Sequence, residues 1–162
     1  MRLFFAILLC KLVRLVLRLA GRGGTALPGK IALRVCPDML SRLSRGVTAV
    51  MVTGTNGKTT TCRMLEQMLR DAGRDCFANR SGSNLERGIA ADFAANANLF
   101  GRPKRRFAVI ECDEAAFRRV CGEVKPAVAV VTNIFRDQLD RYGEVTHTLE
   151  SIRIGLERAQ NA

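Results

Sequence analysis

The most constraining feature of this sequence is the stretch VTAVMVTGTNGKTTT, which covers residues 47–61. Its apolar, β-branched first half is typical of a buried strand, and Gly54 and Gly57 then allow a tight turn that points backbone amides inward. Lys58 can reach terminal phosphates, and Thr59 offers a hydroxyl to Mg²⁺. The stretch therefore predicts a nucleoside triphosphate site formed by residues Gly54, Thr55, Asn56, Gly57, Lys58, Thr59 and Thr60.

The spacing of this loop differs from the general phosphate-loop pattern G-x-x-x-x-G-K-[ST]. Val52 occupies the position where that pattern has its first glycine. The required order of strand, loop and helix is nevertheless present, so triphosphate binding remains the prediction.

Beyond residue 46, strand patterns alternate with helix patterns. One predicted helix places Met64, Leu65, Met68 and Leu69 on one face and ends at Gly73. Such alternation predicts an α/β fold, with a P-loop NTPase-like, mostly parallel sheet flanked by helices. The predicted strands are 47–53, 75–79, 106–112 and 127–132, and the predicted helices are 59–71, 85–97, 114–121 and a last helix with Leu149, Ile152, Leu156 and Ala159 at helical spacing.

Polar residues follow each predicted strand. Because ligands of parallel sheets bind at the carboxyl ends of the strands, we expect these residues to meet at one edge of the sheet. The four segments are 53–60, 79–84, 111–114 and 133–141.

Composition restricts the classes of partner. The 162 residues suffice for one domain, and 26 Lys and Arg against 15 Asp and Glu give a formal charge of +11, which favours polyanions such as nucleotides or an anionic membrane face. With no Trp and one Tyr, the chain lacks the aromatic platforms of nucleic-acid binders, so no nucleic acid is expected. The six cysteines form no C-x-x-C pair, which predicts buried free thiols and a reducing, cytoplasmic location.

Residues 1–45 form a separate segment that begins with a basic, apolar helix. Lys11, Arg14, Arg18 and Arg22 fall on one side of this helix, and Leu12, Leu15, Val16 and Leu19 fall largely on the other. These cations interrupt the apolar run, which excludes a membrane span, and no small-residue cleavage site follows. Two interpretations remain: the helix docks on its own domain, or it lies on the inner membrane face with its cations at anionic headgroups.

Two further elements are predicted in this segment. Glycines and Pro28 predict a loop or linker over residues 21–30. A short helix over residues 38–45 follows, and Asp38 is its possible cap.

Five motifs in order resemble one branch of the Mur ligase family. The loop GTNGKTT resembles the ATP-binding loop of Mur ligases and folylpolyglutamate synthases. Together with it, four further stretches resemble the MurT-type subunits of lipid II isoglutaminyl synthases: GRGGTALPGKIAL, NRSGSNLERGI, VIECDEAAF and TNIFRDQLDRYGEV. The resemblance makes residues 46–162 a partial Mur ligase central domain.

The resemblance implies an ATP-dependent amidation. In that family the α-carboxylate of D-glutamate in lipid II is phosphorylated, and ammonia from a GatD-like glutaminase partner attacks the acyl phosphate to give D-isoglutamine. Another Mur or folylpolyglutamate-type ligase, or a noncatalytic nucleotide-binding fragment at the membrane surface, remains an alternative. Such proteins continue well past residue 162, so we expect this chain to be an inactive piece that binds Mg-ATP weakly.

The resemblance also assigns roles to residues. It implies that Lys58 and Glu111 are catalytic and that Thr59, Glu111 and Gln138 hold Mg²⁺, while Asn79 and Asn84 join the phosphate-binding set. Glu111 could instead be a solvated carboxylate at a strand end. Structural alternatives also stay open for the remaining polar residues, namely helix-start residues for Asp113 and Glu114, a ligand-free turn for Asn79, Gly82 and Asn84, surface ion pairs for Asp137, Asp140 and Arg141, and a cap or surface residue for His147.

Overall fold

The structure of the protein is a computed structural model that describes residues 1–21, 24–79, 83–135 and 144–160. Helices and strands alternate after an amino-terminal group of three helices. The elements are α1 (Arg2–Leu19), α2 (Ala26–Val35), α3 (Met39–Leu43), β1 (Thr48–Thr53), α4 (Lys58–Asp71), β2 (Cys76–Ala78), α5 (Glu86–Asn96), β3 (Phe107–Glu111), α6 (Glu114–Val124), β4 (Val128–Val131) and α7 (Glu144–Gln160).

The described strands form one four-stranded parallel sheet in the order β2-β3-β1-β4. Thr48 pairs with Phe107 at the start of the central pair, and Val52 pairs with Glu111 at its end. All four strands therefore end at the same edge, which confirms the predicted α/β sheet and the meeting of the strand ends.

The two faces of the sheet differ in the size of the hydrophobic core that covers them. Residues at alternate positions of the strands, such as Met51 and Ile110, belong to a large core to which α1, α2, α3, α5, α6 and α7 all contribute. Their neighbours Val52 and Val109 face a small cluster with Cys62 of α4. We call these the thick face and the thin face of the sheet.

Helix α4 covers the thin face with residues other than those predicted. Met64 and Met68 are 59% and 65% exposed, whereas Leu65 and Leu69 pack beside Cys62. The prediction of one face with all four apolar residues is therefore wrong for the two methionines. A helical step of 100° separates Met64 from Leu65, so both cannot lie at the centre of a narrow contact.

The loop predicted over residues 21–30 is wrong from Ala26 onward, because α2 begins there. Pro28 lies in the first turn, where a missing amide hydrogen breaks no helical hydrogen bond. Gly29 brings α2 against α5: a Cβ at this position would lie 1.7 Å from the carbonyl oxygen of Arg87. The glycine and the proline therefore serve helix packing and not a linker.

Helix α1 docks on its own domain through the side that carries Lys11 and Arg14. Lys11 Nζ donates to the carbonyl oxygen of Ala97, and Arg14 pairs with Asp92 of α5 at 3.0 Å. These two cations are therefore engaged by the protein, contrary to the interpretation that places them at lipid headgroups. The apolar residues on the opposite side of α1 remain exposed to solvent.

Two further expectations concern Asp38 and the cysteines. Asp38 occupies the N-cap position before α3, but its side chain makes no capping hydrogen bond, since its carboxylate pairs with Arg42 at 2.7 Å and accepts from the thiol of Cys36. All six cysteines are free and buried, as predicted. Within the described ranges, no helix is both long and apolar enough to cross a membrane.

Candidate active site at the carboxyl edge of the sheet

The phosphate-loop residues form a turn between β1 and α4 that only glycine can make. Gly54 and Gly57 have φ of 126° and 83°, which side-chain-bearing residues rarely adopt. A Cβ on Gly54 would also lie 2.3 Å from Thr132 Oγ1 and 2.6 Å from the carbonyl oxygen of Asn133. Helix α4 begins directly after this turn, so its unpaired first-turn amides and its positive end face the loop.

Residues that follow β4 hold this loop in place. Asn133 accepts twice, through its carbonyl oxygen from the amide of Thr55 and through Oδ1 from the amide of Asn56, both at 2.9 Å. Thr132 Oγ1 donates to the carbonyl oxygen of Asn56 at 2.7 Å. The sequence pattern predicts that residue 133 lies at this edge of the sheet, but it assigns no role to the side chain of Thr132 or of Asn133. The only signal for these two residues is their position at the end of a strand.

Lys58 is folded back over the loop. Its Nζ donates to the carbonyl oxygen of Gly54, to that of Thr55 at 3.2 Å, and to Glu114 Oε2 at 3.4 Å. Both charged side chains of this ion pair are largely buried, 14% and 19% exposed. The ammonium therefore sits beside the loop, where an incoming phosphate would compete with Glu114 for it.

The two acidic residues at the start of α6 have different positions. Asp113 is the N-cap and accepts from the amide of Ala115 at 2.9 Å, which confirms the helix-start interpretation. Glu114 lies in the first turn and in addition pairs with Lys58. No sequence pattern indicates that pair, because the partners belong to different strand-loop-helix units.

Thr59 and Glu111 bring two oxygen atoms together at the start of α4. Thr59 Oγ1 donates to Glu111 Oε2 at 2.9 Å. Mg²⁺ binds oxygen at about 2.1 Å in octahedral geometry, which places neighbouring ligands about 3 Å apart, so these two atoms fit adjacent positions on one ion. Among the described residues, no group of three or more His, Cys, Asp and Glu is placed to hold a metal ion.

Asn79 fixes the position of Glu111. Its Nδ2 donates to the carbonyl oxygen of Glu111 at 2.6 Å, and its Oδ1 accepts from the amide of the same residue at 2.8 Å. These bonds continue the pairing of β2 with β3 beyond the end of β2. The geometry thus gives Asn79 a positioning role toward the carboxylate that faces Thr59.

A cavity of about 450 Å³ opens beside this pair. Its wall includes Cys62, whose pKa is raised to about 12 by burial and by the charges of Glu111 and Glu66, so its thiol stays protonated at neutral pH. The cavity is large enough for part of a small substrate. Its lining consists of Thr59, Cys62, Arg63, Glu66, Gln67, Arg70, Ala78, Asn79, Asn84, Val109 and Glu111.

Two of the remaining predicted site residues, Asn84 and Thr60, belong to the described part of the chain. Asn84 lines the cavity, and its carbonyl oxygen accepts from the amide of Asp113 at 2.9 Å. Thr60 is exposed on the first turn of α4. Gln138, Gly82, Asp137, Asp140, Arg141 and the side chain of His147 lie outside the described residues, and their roles stay predictions.

Comparison with known proteins identifies the family. Residues 52–153 match the Mur ligase middle domain, which begins in β1 and includes the loop, Glu111 and most of α7. The chain belongs to the Mur ligase family. The sequence-based recognition of this family is therefore confirmed.

Curated members of the family match most of the chain. The MurT subunit of lipid II isoglutaminyl synthase (glutamine-hydrolyzing) from Staphylococcus aureus is 41% identical over 94% of this chain and 34% of its own length. The Streptococcus pneumoniae subunit is 40% identical over 91% and 32%. A UDP-N-acetylmuramate–L-alanine ligase from Mycolicibacterium vanbaalenii is 37% identical over 67% and 20%. The chain thus spans about a third of the length of the MurT subunits it resembles.

Solved structures agree on the fold. MurF from Acinetobacter baumannii superimposes with a TM-score of 0.64 at 21% identity, over 80% of this chain and 27% of that protein. At this identity the likeness concerns the fold alone. It supports a Mur ligase middle domain built on the parallel sheet described above.

Proposed function

We propose that this chain is the phosphate-binding part of an ATP-dependent ligase that amidates the α-carboxylate of D-glutamate in lipid II to D-isoglutamine. The observation that carries the proposal is the contact of Thr59 with Glu111 at 2.9 Å directly beside the Lys58 loop. The likeness to MurT subunits over 94% of the chain supports the choice of reaction. We place the reaction on the cytoplasmic side, where ATP is available.

The proposed reaction needs an activated carboxylate. A carboxylate is a poor electrophile, whereas its acyl phosphate carries a good leaving group that ammonia can displace. Lys58 would neutralise charge that develops on the transferred phosphoryl group, since an ammonium fixed beside the loop needs little reorganisation. Thr59 and Glu111 would hold Mg²⁺, which when bound neutralises phosphate charge.

The source of the amine distinguishes this reaction from its relatives. We propose a GatD-like glutaminase subunit as the source of ammonia, in line with the words glutamine-hydrolyzing in the name of the similar subunits. The second candidate is a ligase that joins an amino acid to the carboxylate, and the likeness to UDP-N-acetylmuramate–L-alanine ligase favours it. The two candidate reactions are distinguished by the nucleophile that yields product, which is ammonia for the first and an amino acid for the second.

Isothermal titration with ATP and Mg²⁺ tests the site. We expect the chain to bind ATP, and Lys58→Met to weaken binding by about 10 to 100 fold, the value of a lost charge-assisted hydrogen bond. Thr59→Val and Glu111→Gln should weaken binding only when Mg²⁺ is present. Lys30→Met removes a positive charge from the exposed surface of α2 and is the matched control.

Two results would count against the proposal. Equal ATP affinity in Lys58→Met and in the control would show that the loop does not bind the phosphates. Mass spectrometry of lipid II incubated with the chain, ATP and ammonia tests the rest: we expect ATP binding without D-isoglutamine from this chain alone, because the similar subunits are about three times as long. A parallel incubation replaces ammonia with L-alanine, and an amino-acid adduct formed there would be the second result against the proposal and would favour the second candidate.

A further inference from the structure

Helix α1 presents a continuous apolar surface to solvent. Six large apolar residues lie within about 120° of the helix circumference at 100° per residue, and each is between 36% and 80% exposed. We call this surface the apolar stripe: Phe5, Leu9, Leu12, Leu15, Val16 and Leu19. A helix on the surface of a soluble domain normally turns such residues toward the core.

The opposite side of α1 prevents the stripe from turning inward. Ala6, Ile7 and Cys10 are 0% to 1% exposed in the large core. Lys11 bonds to Ala97, the C-cap residue of α5, and Arg14 bonds to Asp92 within that helix. Both the packing and the ion pair therefore fix the helix with its apolar side outward.

Positive charges lie at both ends of α1 and on a neighbouring loop. Arg2 and Arg18 are exposed near its two ends. The loop after α5 lies beside α1, because the exposed ring of Phe100 contacts Phe4 with ring centroids 6.1 Å apart. This loop carries four exposed cations within the segment GRPKRR, of which Arg105 pairs with Asp75 at 2.9 Å: Arg102, Lys104, Arg105 and Arg106.

One of these loop cations acts directly on α1. Burial, followed by the charge of Lys104, lowers the pKa of Lys11. Lys104 and Arg14 of α1 line the same cavity, so this loop cation lies beside the helix, and the surface next to the stripe combines exposed apolar groups with a local excess of positive charge. That combination is complementary to an anionic lipid surface and not to a second copy of this chain, whose own cations would face these.

We propose that α1 is a docking helix for an anionic lipid bilayer, lying parallel to the membrane plane. The stripe enters the boundary between headgroups and acyl chains, while the exposed cations near it contact lipid phosphates: Arg2, Arg18, Arg102, Lys104 and Arg106. At 18 residues the helix is about 27 Å long and lies flat without crossing the bilayer. This inference is independent of the proposed ligase function, since it concerns a different surface.

The absence of tryptophan from the chain allows a direct test. Leu12→Trp places a single fluorophore in the stripe, and Met68→Trp, at a residue 65% exposed on α4, is the matched control. We expect vesicles of equal parts phosphatidylcholine and phosphatidylglycerol to shift the emission of the first variant to shorter wavelength, and brominated lipid to quench it. The control should show neither change.

A second pair of variants measures the strength of binding by vesicle sedimentation. Leu12→Glu with Val16→Glu should reduce the partition coefficient by at least about tenfold, because it removes apolar surface and adds charge that the lipid repels. Met64→Glu with Met68→Glu adds the same charge on α4 and should change it by less than about twofold. All four substituted positions are exposed, and a thermal melt of each variant verifies that it is folded.

Three results would overturn the proposal. The first is equal binding of both double variants. The second is equal binding of the unmodified chain to pure phosphatidylcholine and to the anionic vesicles, since lipid charge would then have no role. The third is an emission shift of Leu12→Trp that grows with protein concentration and needs no lipid, which would identify a second copy of the chain as the occupant. Weaker binding to anionic vesicles at high salt would support it.

Discussion

The thick and thin faces of the sheet divide stability and ligand binding between them. Six helices contribute to the core on the thick face, while α4 alone among the described helices contributes to the cluster on the thin face. The phosphate loop opens where α4 begins, and residues after β4 hold it by hydrogen bonds. The difference indicates that stability is concentrated away from the site, which leaves the loop free to exchange contacts when a ligand enters.

The largest expected effect is the loss of stability when a packed side chain is truncated on the thick face, compared with the same change on the thin face. Phe93 is 1% exposed on the thick face and its ring meets that of Phe77 edge to face at 5.1 Å. We expect Phe93→Ala to lower the free energy of unfolding by about 3–5 kcal/mol. Leu69→Ala, on the thin face, should cost about 1–2 kcal/mol, because that side chain is only partly buried. Urea denaturation measures both, and equal costs would contradict the division.

An intermediate effect concerns the hydrogen bonds that hold the loop. Asn133→Ala removes the bond from its side chain to the amide of Asn56, so we expect a stability loss of about 1 kcal/mol. The affinity for Mg-ATP should fall by about tenfold, because the loop must then be ordered by the ligand. Titration with ATP and urea denaturation check the two values.

Asn98→Ala is the matched control for that variant. Asn98 Oδ1 accepts from the amides of Phe100 at 2.9 Å and Arg102 at 3.0 Å, in a loop that contributes no lining to the cavity beside Thr59. It should lose similar stability with unchanged ATP affinity. Equal affinity loss in both variants would mean that Asn133 acts through overall stability.

The smallest expected effect is the pH-dependent contribution of a partly buried carboxylate, Glu123, to stability. Burial, with the nearby charge of Glu86, raises the pKa of Glu123 above its ordinary value of 4.5, although Arg119 opposes the shift. A raised folded pKa means that the stabilisation by the protonated form is complete below that ordinary value and is lost as the pH rises through the folded pKa. At pH 7 Glu123→Gln should therefore unfold at a slightly higher temperature than the unmodified chain, and the difference should shrink toward pH 4.

The pKa of Glu150 shifts in the opposite direction to that of Glu123. The hydrogen bond from Arg153 lowers the pKa of this exposed carboxyl, so its contribution is present above pH 4.5 and is lost as the pH falls. Thermal melts of Glu150→Gln at pH 4 and 7 should show no gain at pH 7. A gain at pH 7 in both variants would show that the effect does not depend on burial.

Sequence patterns predicted the sheet and the loop because their signals are local. The β-branched run of β1 and the glycines after it form one continuous stretch, and Thr59 and Glu111 meet because parallel strands end at one edge. By contrast, Lys58 with Glu114 and Asn56 with Asn133 are contacts between distant segments. Their identity depends on the detailed course of each loop, which no periodicity encodes.

Helices α1 and α2 show a second limit of pattern reasoning. The pattern separates cations from leucines on α1 correctly, but does not tell which side meets the domain, because Asp92 supplies the partner for Arg14. In α2, proline and glycine predict a break when each is considered alone. The close approach to α5 gives the glycine a packing role that only the tertiary structure reveals.

That contact between Gly29 and the backbone of Arg87 also constrains how the protein is made. During synthesis the first two helices leave the ribosome well before α5 exists, and they cannot complete their packing until it does. Their apolar surfaces therefore stay uncovered during the translation of β1, α4 and β2, a period in which chaperones could bind them.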